Sequence, residues 1–358
     1  MHREDNTVST TLAPPREPSG APADVSSRRL TERVFRVRES GIIVVLLLFV
    51  LITALIQPRF VSSSNIQFIL INTSVYALVA LGETLVIISR NVDLSVQSVL
   101  ALSAYLSTSL FGHVHGIPIP VVFGVGLAIG LACGMANGLM VSLGRVPSLV
   151  VTLATLYIIQ GIDILVVGGN EVVASSLPGG FVAIPNVAVF GIPWLAIAIA
   201  AVVGAGAYYL RSFRSGRELY AIGSNPAGAG LAGIPVARRV FTAFTLCGGI
   251  AGVAGVLWAS QYQTINSSAG GNNFSLIVIA AVVVGGVAIF GGSGSAVGAA
   301  IGALLLETIS SALNVLGISD FWDQAIAGFL LLVAITLDRL ISLRLAAALR
   351  RRSARDGR

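Results

Sequence analysis

Over most of its length the chain alternates apolar runs of roughly 17 to 24 residues with short polar intervals. The runs are Gly41–Gln57, Ile66–Ile88, Leu94–Phe111, Pro120–Leu143, Pro147–Val167 and Ile192–Leu210. After a longer polar interval come Val240–Ser260, Phe274–Phe290, Ala296–Leu316 and Trp322–Leu340. An α-helix rises about 1.5 Å per residue, so ~20 apolar residues cross the hydrocarbon core of a bilayer. The pattern predicts an all-α, polytopic membrane protein with about ten transmembrane helices. Residues 1–40, with Pro14, Pro15, Pro18 and Pro22, are expected to form a disordered tail. Residues 41–340 form the membrane domain, 211–239 a polar loop within it, and 341–358 a basic tail. Gly41–Gln57 reads as a retained first span, because a long polar leader precedes it and no small-residue cleavage site follows.

Composition agrees with the pattern. Hydrophobic residues make up 55% of the chain and charged residues 11%, which leaves no material for a sizeable soluble domain. All 22 basic residues are arginine. Without lysine, neither a P-loop nor a Schiff-base mechanism is available to this chain. The net charge of +6 is spread between apolar runs, which argues for membrane topology and against nucleic-acid binding. With ten spans and the N-terminus inside, 21 of the 22 arginines are cytoplasmic and only Arg59 is outside. Both termini then lie on the cytoplasmic face.

Glycines recur at helical spacing, at Gly124, Gly126, Gly130, Gly134 and Gly138 and again at Gly294, Gly298 and Gly302. Close helix packing is the expected use of such rows. Spans two to five and seven to ten would run in opposite senses if the chain were an inverted repeat. Cys133 and Cys247 lie inside apolar runs and read as packing residues. The histidines, His2, His113 and His115, have no neighbours that would complete a metal site, and nothing marks a catalytic nucleophile.

Polar residues near or within the spans are candidates for a solute path. Between the second and third runs, Asn91 or Asp93 either caps the next helix or belongs, with Ser95, to a non-helical break lining a polar path. Asn72, Glu83, Asp163, Glu307 and Asn314 also fall in or near apolar runs, where a carboxylate costs about 2.5–3.5 kcal/mol on insertion scales. Each either bonds helix to helix or touches solute. Asn272 and Asn273 stand at the aqueous end.

The polar loop, Arg211 to Arg239, holds five arginines and reads as a docking surface. Asn225 and Pro226 suit the start of a short helix that Gly233 ends. Leu219, Tyr220, Ile222, Leu231 and Ile234 are expected to form an exposed apolar patch there.

From Asn65 to Leu340 the chain resembles the ribose-type branch of bacterial ABC importer permeases, which includes ribose, rhamnose and autoinducer-2 systems. Asp93-Leu94-Ser95-Val96 with Ser98 is similar to that family's D-L-S-V-G-S signature. Gly216-Arg217 through Asn225 to Leu231-Ala232-Gly233-Ile234 is similar to its cytoplasmic coupling loop. Ala280 to Gly286, followed by Gly291-Gly292-Ser293-Gly294 and Gly298, is similar to a third motif. Gln97 departs from the usual glycine, Arg90 and Asn91 replace glycines, and Gly228 and Gly230 weaken the coupling helix. The Arg-Asn-Val-Asp form, with Trp322 and Asp323, looks nearer to rhamnose and autoinducer-2 permeases.

The resemblance implies a permease subunit, not an enzyme, that moves a monosaccharide or related polyol across the bacterial inner membrane. A second permease chain, identical or different, completes the path within the membrane lipid. A periplasmic or lipid-anchored sugar-binding protein delivers the solute, and separate ABC ATPase subunits hold ATP and Mg. No cofactor is implied on this chain. The coupling contacts would be Gly216, Arg217, Glu218, Gly223, Asn225, Leu231, Gly233 and Ile234. An ATP-independent secondary sugar carrier is the alternative reading.

Overall fold

The computed structural model describes residues 25–267, 269, 271, 273–319, 321–336 and 339, with side chains from Ser40 onward. The expected tails at 1–24 and 341–358, Asn272 and the end of the last apolar run at Leu340 lie outside the described residues. In chain order the helices are α1 (Val25–Ile56), α2 (Ser63–Ile88), α3 (Val96–His113), α4 (Ile119–Ser142), α5 (Ser148–Val167) and a single turn, α6 (Gly179–Val182). They continue as α7 (Trp194–Ser212), α8 (Arg214–Ser224), α9 (Pro226–Leu231), α10 (Val236–Tyr262), α11 (Phe274–Val284), α12 (Ala296–Val315) and α13 (Phe321–Thr336). Four two-residue strands, β1 (Val172–Val173), β2 (Ala188–Val189), β3 (Ile192–Pro193) and β4 (Thr264–Ile265), pair antiparallel as β1 with β4 and β2 with β3.

Among the described residues six helices, α2, α4, α5, α7, α10 and α12, are long and apolar enough to cross a membrane. The other four expected spans fold as α3 and as the shorter apolar helices Ser40–Ile56, α11 and α13. One boundary differs from expectation: α1 begins at Val25, inside the segment read as a disordered tail. No proline or glycine falls between Pro22 and Gly41, so nothing local stops the first apolar helix from extending toward the N-terminus.

Helix ends follow local chemistry. The Ser62 hydroxyl accepts from the Asn65 amide at the start of α2, and Ser295 accepts from the Gly298 amide at the start of α12. Gly168, in the left-handed conformation, ends α5.

α2 is the central element, buried almost continuously from Ala77 to Ser89. It packs against α10, α11, α12 and α7. Contacts between Glu83 and Cys247, and between Asn72 and Gln261, set α2 and α10 antiparallel. Where Gly130 and Gly134 meet Gly248 and Gly252, α10 lies on α4 with no side chain between the backbones. A Cβ at Gly130 would stand 2.1 Å from the Gly248 carbonyl oxygen, so only glycine permits this approach. The principal contacts come in matching sets: α10 packs on α3 and α4 as α2 packs on α11 and α12.

Two breaks interrupt the helical order. After α2 the chain turns through Arg90, with φ of 69°, and runs back beside α2, so that the Asp93 amide reaches a carboxylate ten residues earlier. α3 therefore starts well inside the depth spanned by α2. After α10 the segment from Gln263 pairs β4 with β1 and then delivers Phe274, the first residue of α11, beside Tyr76 at the midpoint of α2. The ring centroids of Tyr76 and Phe274 are 4.6 Å apart. The starts of α3 and α11 meet there.

Candidate functional site

The meeting point is held by reciprocal polar contacts. The Gln97 amide donates to the Ser275 hydroxyl (3.1 Å), and the Ser275 amide donates to Oε1 of Gln97 (3.5 Å). The Ser275 hydroxyl in turn donates to the Leu94 carbonyl (2.8 Å). Non-helical backbone at this depth needs such partners, because lipid supplies none.

Toward the α8 end lies a fully buried polar cluster. Oε1 of Glu83 accepts from the Asp93 amide (3.0 Å), and its second oxygen accepts from the Cys247 thiol (3.7 Å). Oδ1 of Asp93 accepts from the Ser95 amide (2.9 Å) and hydroxyl (2.6 Å), and Asn137 donates to that hydroxyl (2.8 Å). Asp93 thus fixes the turn that launches α3, while Ser148 and Thr152 of α5 bond the amide and carbonyl of Val92. Asn91 bonds the Ser89 carbonyl and faces a cavity of about 520 Å³, lined also by Arg90, Arg145, Pro226 and Val236.

The other expected path residues are dispersed. Oδ1 of Asn72 accepts from Gln261 (2.5 Å) and Tyr262 (3.0 Å), bridging α2 to α10. Glu307 is half-buried on α12, within electrostatic reach of Tyr76 and Tyr262. Asn273 immediately precedes α11, and its carbonyl accepts the Ile277 amide. Asn314 is exposed, and its side chain bonds the Ser310 carbonyl of its own helix. Asn137, Gln97, Ser275 and Gln261 complete these clusters; Gln97 was noted only as a departure from the usual glycine, and the other three were not singled out. Asn137, a lone amide in a glycine-rich apolar run, was the one with a readable signal.

The polar loop folds as α8 and α9, and its apolar residues divide. Leu219 (3% exposed) and Ile222 (1%) are buried, whereas Leu231 is 91% exposed. The expected five-residue patch is therefore corrected: α8 is amphipathic and turns Leu219 and Ile222 into the bundle, leaving Leu231 as the fully exposed member. Glu218, itself buried, receives Nε of Arg214 at 2.8 Å and a short bond from Nε of Arg239 on α10. Those two guanidinium bonds, Arg239 first, hold its carboxyl below the usual carboxylate range. Arg217 is exposed and bonds the Ser212 carbonyl; Gly216 sits tight against the end of α7, where a Cβ would lie 2.4 Å from the Tyr209 oxygen. Asn225 accepts the Gly228 amide and so caps α9, Gly233 ends it with φ of 77°, and Ile234 is half-buried.

At the end of α8 three stretches touch backbone to backbone. The Gly292 amide donates to the Ile88 carbonyl at the end of α2 (2.9 Å). A Cβ at Gly223 would meet that same oxygen at 1.9 Å and the Gly292 nitrogen at 2.3 Å. The Tyr220 hydroxyl donates to the Gly294 carbonyl (2.9 Å), and burial pushes it up to about 12, so it stays a donor at physiological pH. α8 is wedged against the last residue before one break and the glycine turn that follows α11.

A helical bundle with paired broken segments at mid-depth and an amphipathic helix locked to their ends is that of a polytopic membrane permease. Residues 65–335 match the family described as "Branched-chain amino acid transport system / permease component", and the chain belongs to it. The chain is 34% identical to the autoinducer 2 import system permease protein of Enterobacter sp. (strain 638), over 84% of this chain and 85% of that one. It is 33% identical to the ribose import permease protein of Escherichia coli (strain K12), over 88% and 97% of the two chains. It is also 33% identical to the ribose import permease protein of Bacillus subtilis (strain 168), over 82% and 90%. No solved structure matches. The chain is thus the permease component of an import system.

Proposed function

We propose that this chain is the permease subunit of an ATP-driven importer for a neutral monosaccharide or related polyol. Separate ATPase subunits hold ATP and Mg and dock on residues 211–239, with Leu231 as the apolar contact. The observation that carries this reading is the wedge of α8 between the end of α2 and the Gly292 turn. Force on α9 passes through Gly223 into both stretches that border the broken segments, with no compliant side chain between them. The α8 end is cytoplasmic, because Arg90, Arg145 and the arginines of 211–239 cluster there. All ten apolar runs cross, α3 and α11 each being completed by the extended segment before it.

The polar groups of the interior support the solute class. The described arginines lie outside the apolar runs or at their ends, and Glu83 and Asp93 already accept bonds from the chain itself. Hydroxyls suit the amides and hydroxyls present. The names of the ribose and autoinducer 2 relatives point the same way. A second permease chain completes the path, and an external binding protein delivers the solute.

The test is Leu231→Glu in a complex reconstituted with its ATPase and binding protein. Stimulation of ATP hydrolysis by sugar-loaded binding protein is expected to disappear while the chain still inserts and folds. Undiminished stimulation would remove the docking assignment.

A further inference from the structure

One buried carboxylate takes no part in the arrangement above. Asp163 on α5 is fully buried, and neither of its oxygens has a hydrogen-bond partner among the described residues. Its neighbours along the helix, Ile162, Ile164 and Leu165, point outward and are exposed, so Asp163 is turned deliberately inward. It faces a small hole lined by Gln97 and Ser98 at the start of α3, by Gln160 one turn earlier on α5, and by Ser267 from the segment between α10 and α11. The free space is about 10 Å³, room for a single water-sized group.

An unpaired carboxylate in this position is costly, because it gives up its bonds to water and gains none in return. Among the described residues no arginine lines the hole, and a protonated carboxyl would still lack an acceptor for its O–H. The missing partner is therefore a guest that brings its own donor. A hydroxyl matches the size of the hole and donates its one proton to a carboxylate oxygen, a charge-assisted bond stronger than any it makes with a neutral carboxamide. Gln97 and Gln160 are only half-buried, so the hole opens on one side and the remainder of a solute would lie outside it.

We propose that Asp163, flanked by Gln160 and Gln97, is the acceptor for one hydroxyl of the transported polyol. The assignment rests on the reading of the solute as a neutral polyol. It places a recognition contact on the side of the α3–α11 junction away from α8, where an incoming solute arrives first.

The test compares Asp163→Asn with the wild type in the reconstituted complex. Uptake is measured with D-ribose, D-xylose, D-galactose and L-rhamnose and with mono-deoxy forms of whichever the wild type carries. For the wild type, one deoxy form is expected to raise KM about tenfold and the others little. In Asp163→Asn the parent sugar is expected to show that same tenfold rise, and the critical deoxy form no further loss. If this variant fails to assemble, Gln160→Ala, which lines the same hole, must show the same selective loss. Equal KM values and equal deoxy penalties in variant and wild type would overturn the subsite and leave a bound water as the occupant, with the proposed function standing. A wild type that carries none of these sugars would overturn the solute class, and the subsite with it.

Discussion

The α8 junction and the Asp163 hole are opposites in how they are finished. At the junction, Gly223, Gly292 and Ile88 meet through backbone atoms, Tyr220 is bonded to Gly294, and Glu218 carries two guanidinium partners. At the hole, a fully buried carboxylate has no partner on either oxygen among the described residues. A contact that transmits force must have no slack, because loose packing absorbs displacement. A contact that receives cargo must leave something unmet. On the proposed reading, the contrast separates the part of the molecule that is pushed from the part that recognises.

The comparison breaks most completely at Gly223. Gly223→Val places carbon where the Ile88 oxygen already stands, and the obstacle is backbone, so no rotamer change relieves it. Uptake is expected to fall below about one hundredth of wild type, equivalent to ~2.7 kcal/mol, while binding-protein affinity for sugar is unaffected. Reconstituted uptake assays check it, and transport within a few-fold of wild type would show that the junction has slack.

Glu218→Gln tests the ionic brace and should act less severely. The variant keeps the shape of the side chain but loses the charge shared by Arg239 and Arg214, so it is expected to melt several degrees below wild type at pH 7. Because the folded carboxyl titrates below its ordinary value of 4.5, this stabilisation is complete above that value and fades as pH falls through the lowered one. The gap in thermal midpoint should therefore close on acidification; a pH-independent gap would assign the loss to packing.

Tyr220→Phe removes only the bond to Gly294. A single neutral hydrogen bond contributes about 0.5–1.5 kcal/mol, so coupling of ATP hydrolysis to uptake should drop about threefold. An unchanged ratio of sugar moved to ATP consumed would place the force path entirely on Gly223.

Much of this was legible beforehand, and the failures are instructive. Each apolar run that predicted a span is occupied by a helix, because hydropathy at that length leaves few alternatives in lipid. The mid-depth start of α11 was hidden, since Phe274 begins a run as apolar as any helix entering from the surface, whereas a break before α3 was one of the two readings of Asn91, Asp93 and Ser95. Leu219 and Ile222 were misread as exposed because the loop around them is polar; their spacing of three, an inward stripe on a short helix, was the overlooked signal. Asp163 was visible as a carboxylate in an apolar run. That it lacks a partner depends on α3 and the 263–273 segment, which only the folded chain brings to it.

The thiol of Cys247 is sealed inside the bundle against Glu83, while Cys133 is half-buried on α4. A maleimide reagent applied to the folded protein therefore meets at most one native sulfur. A reporter cysteine placed at Leu231 could then follow the docking event by fluorescence over a background from that single site, without first rebuilding the molecule as a thiol-free version.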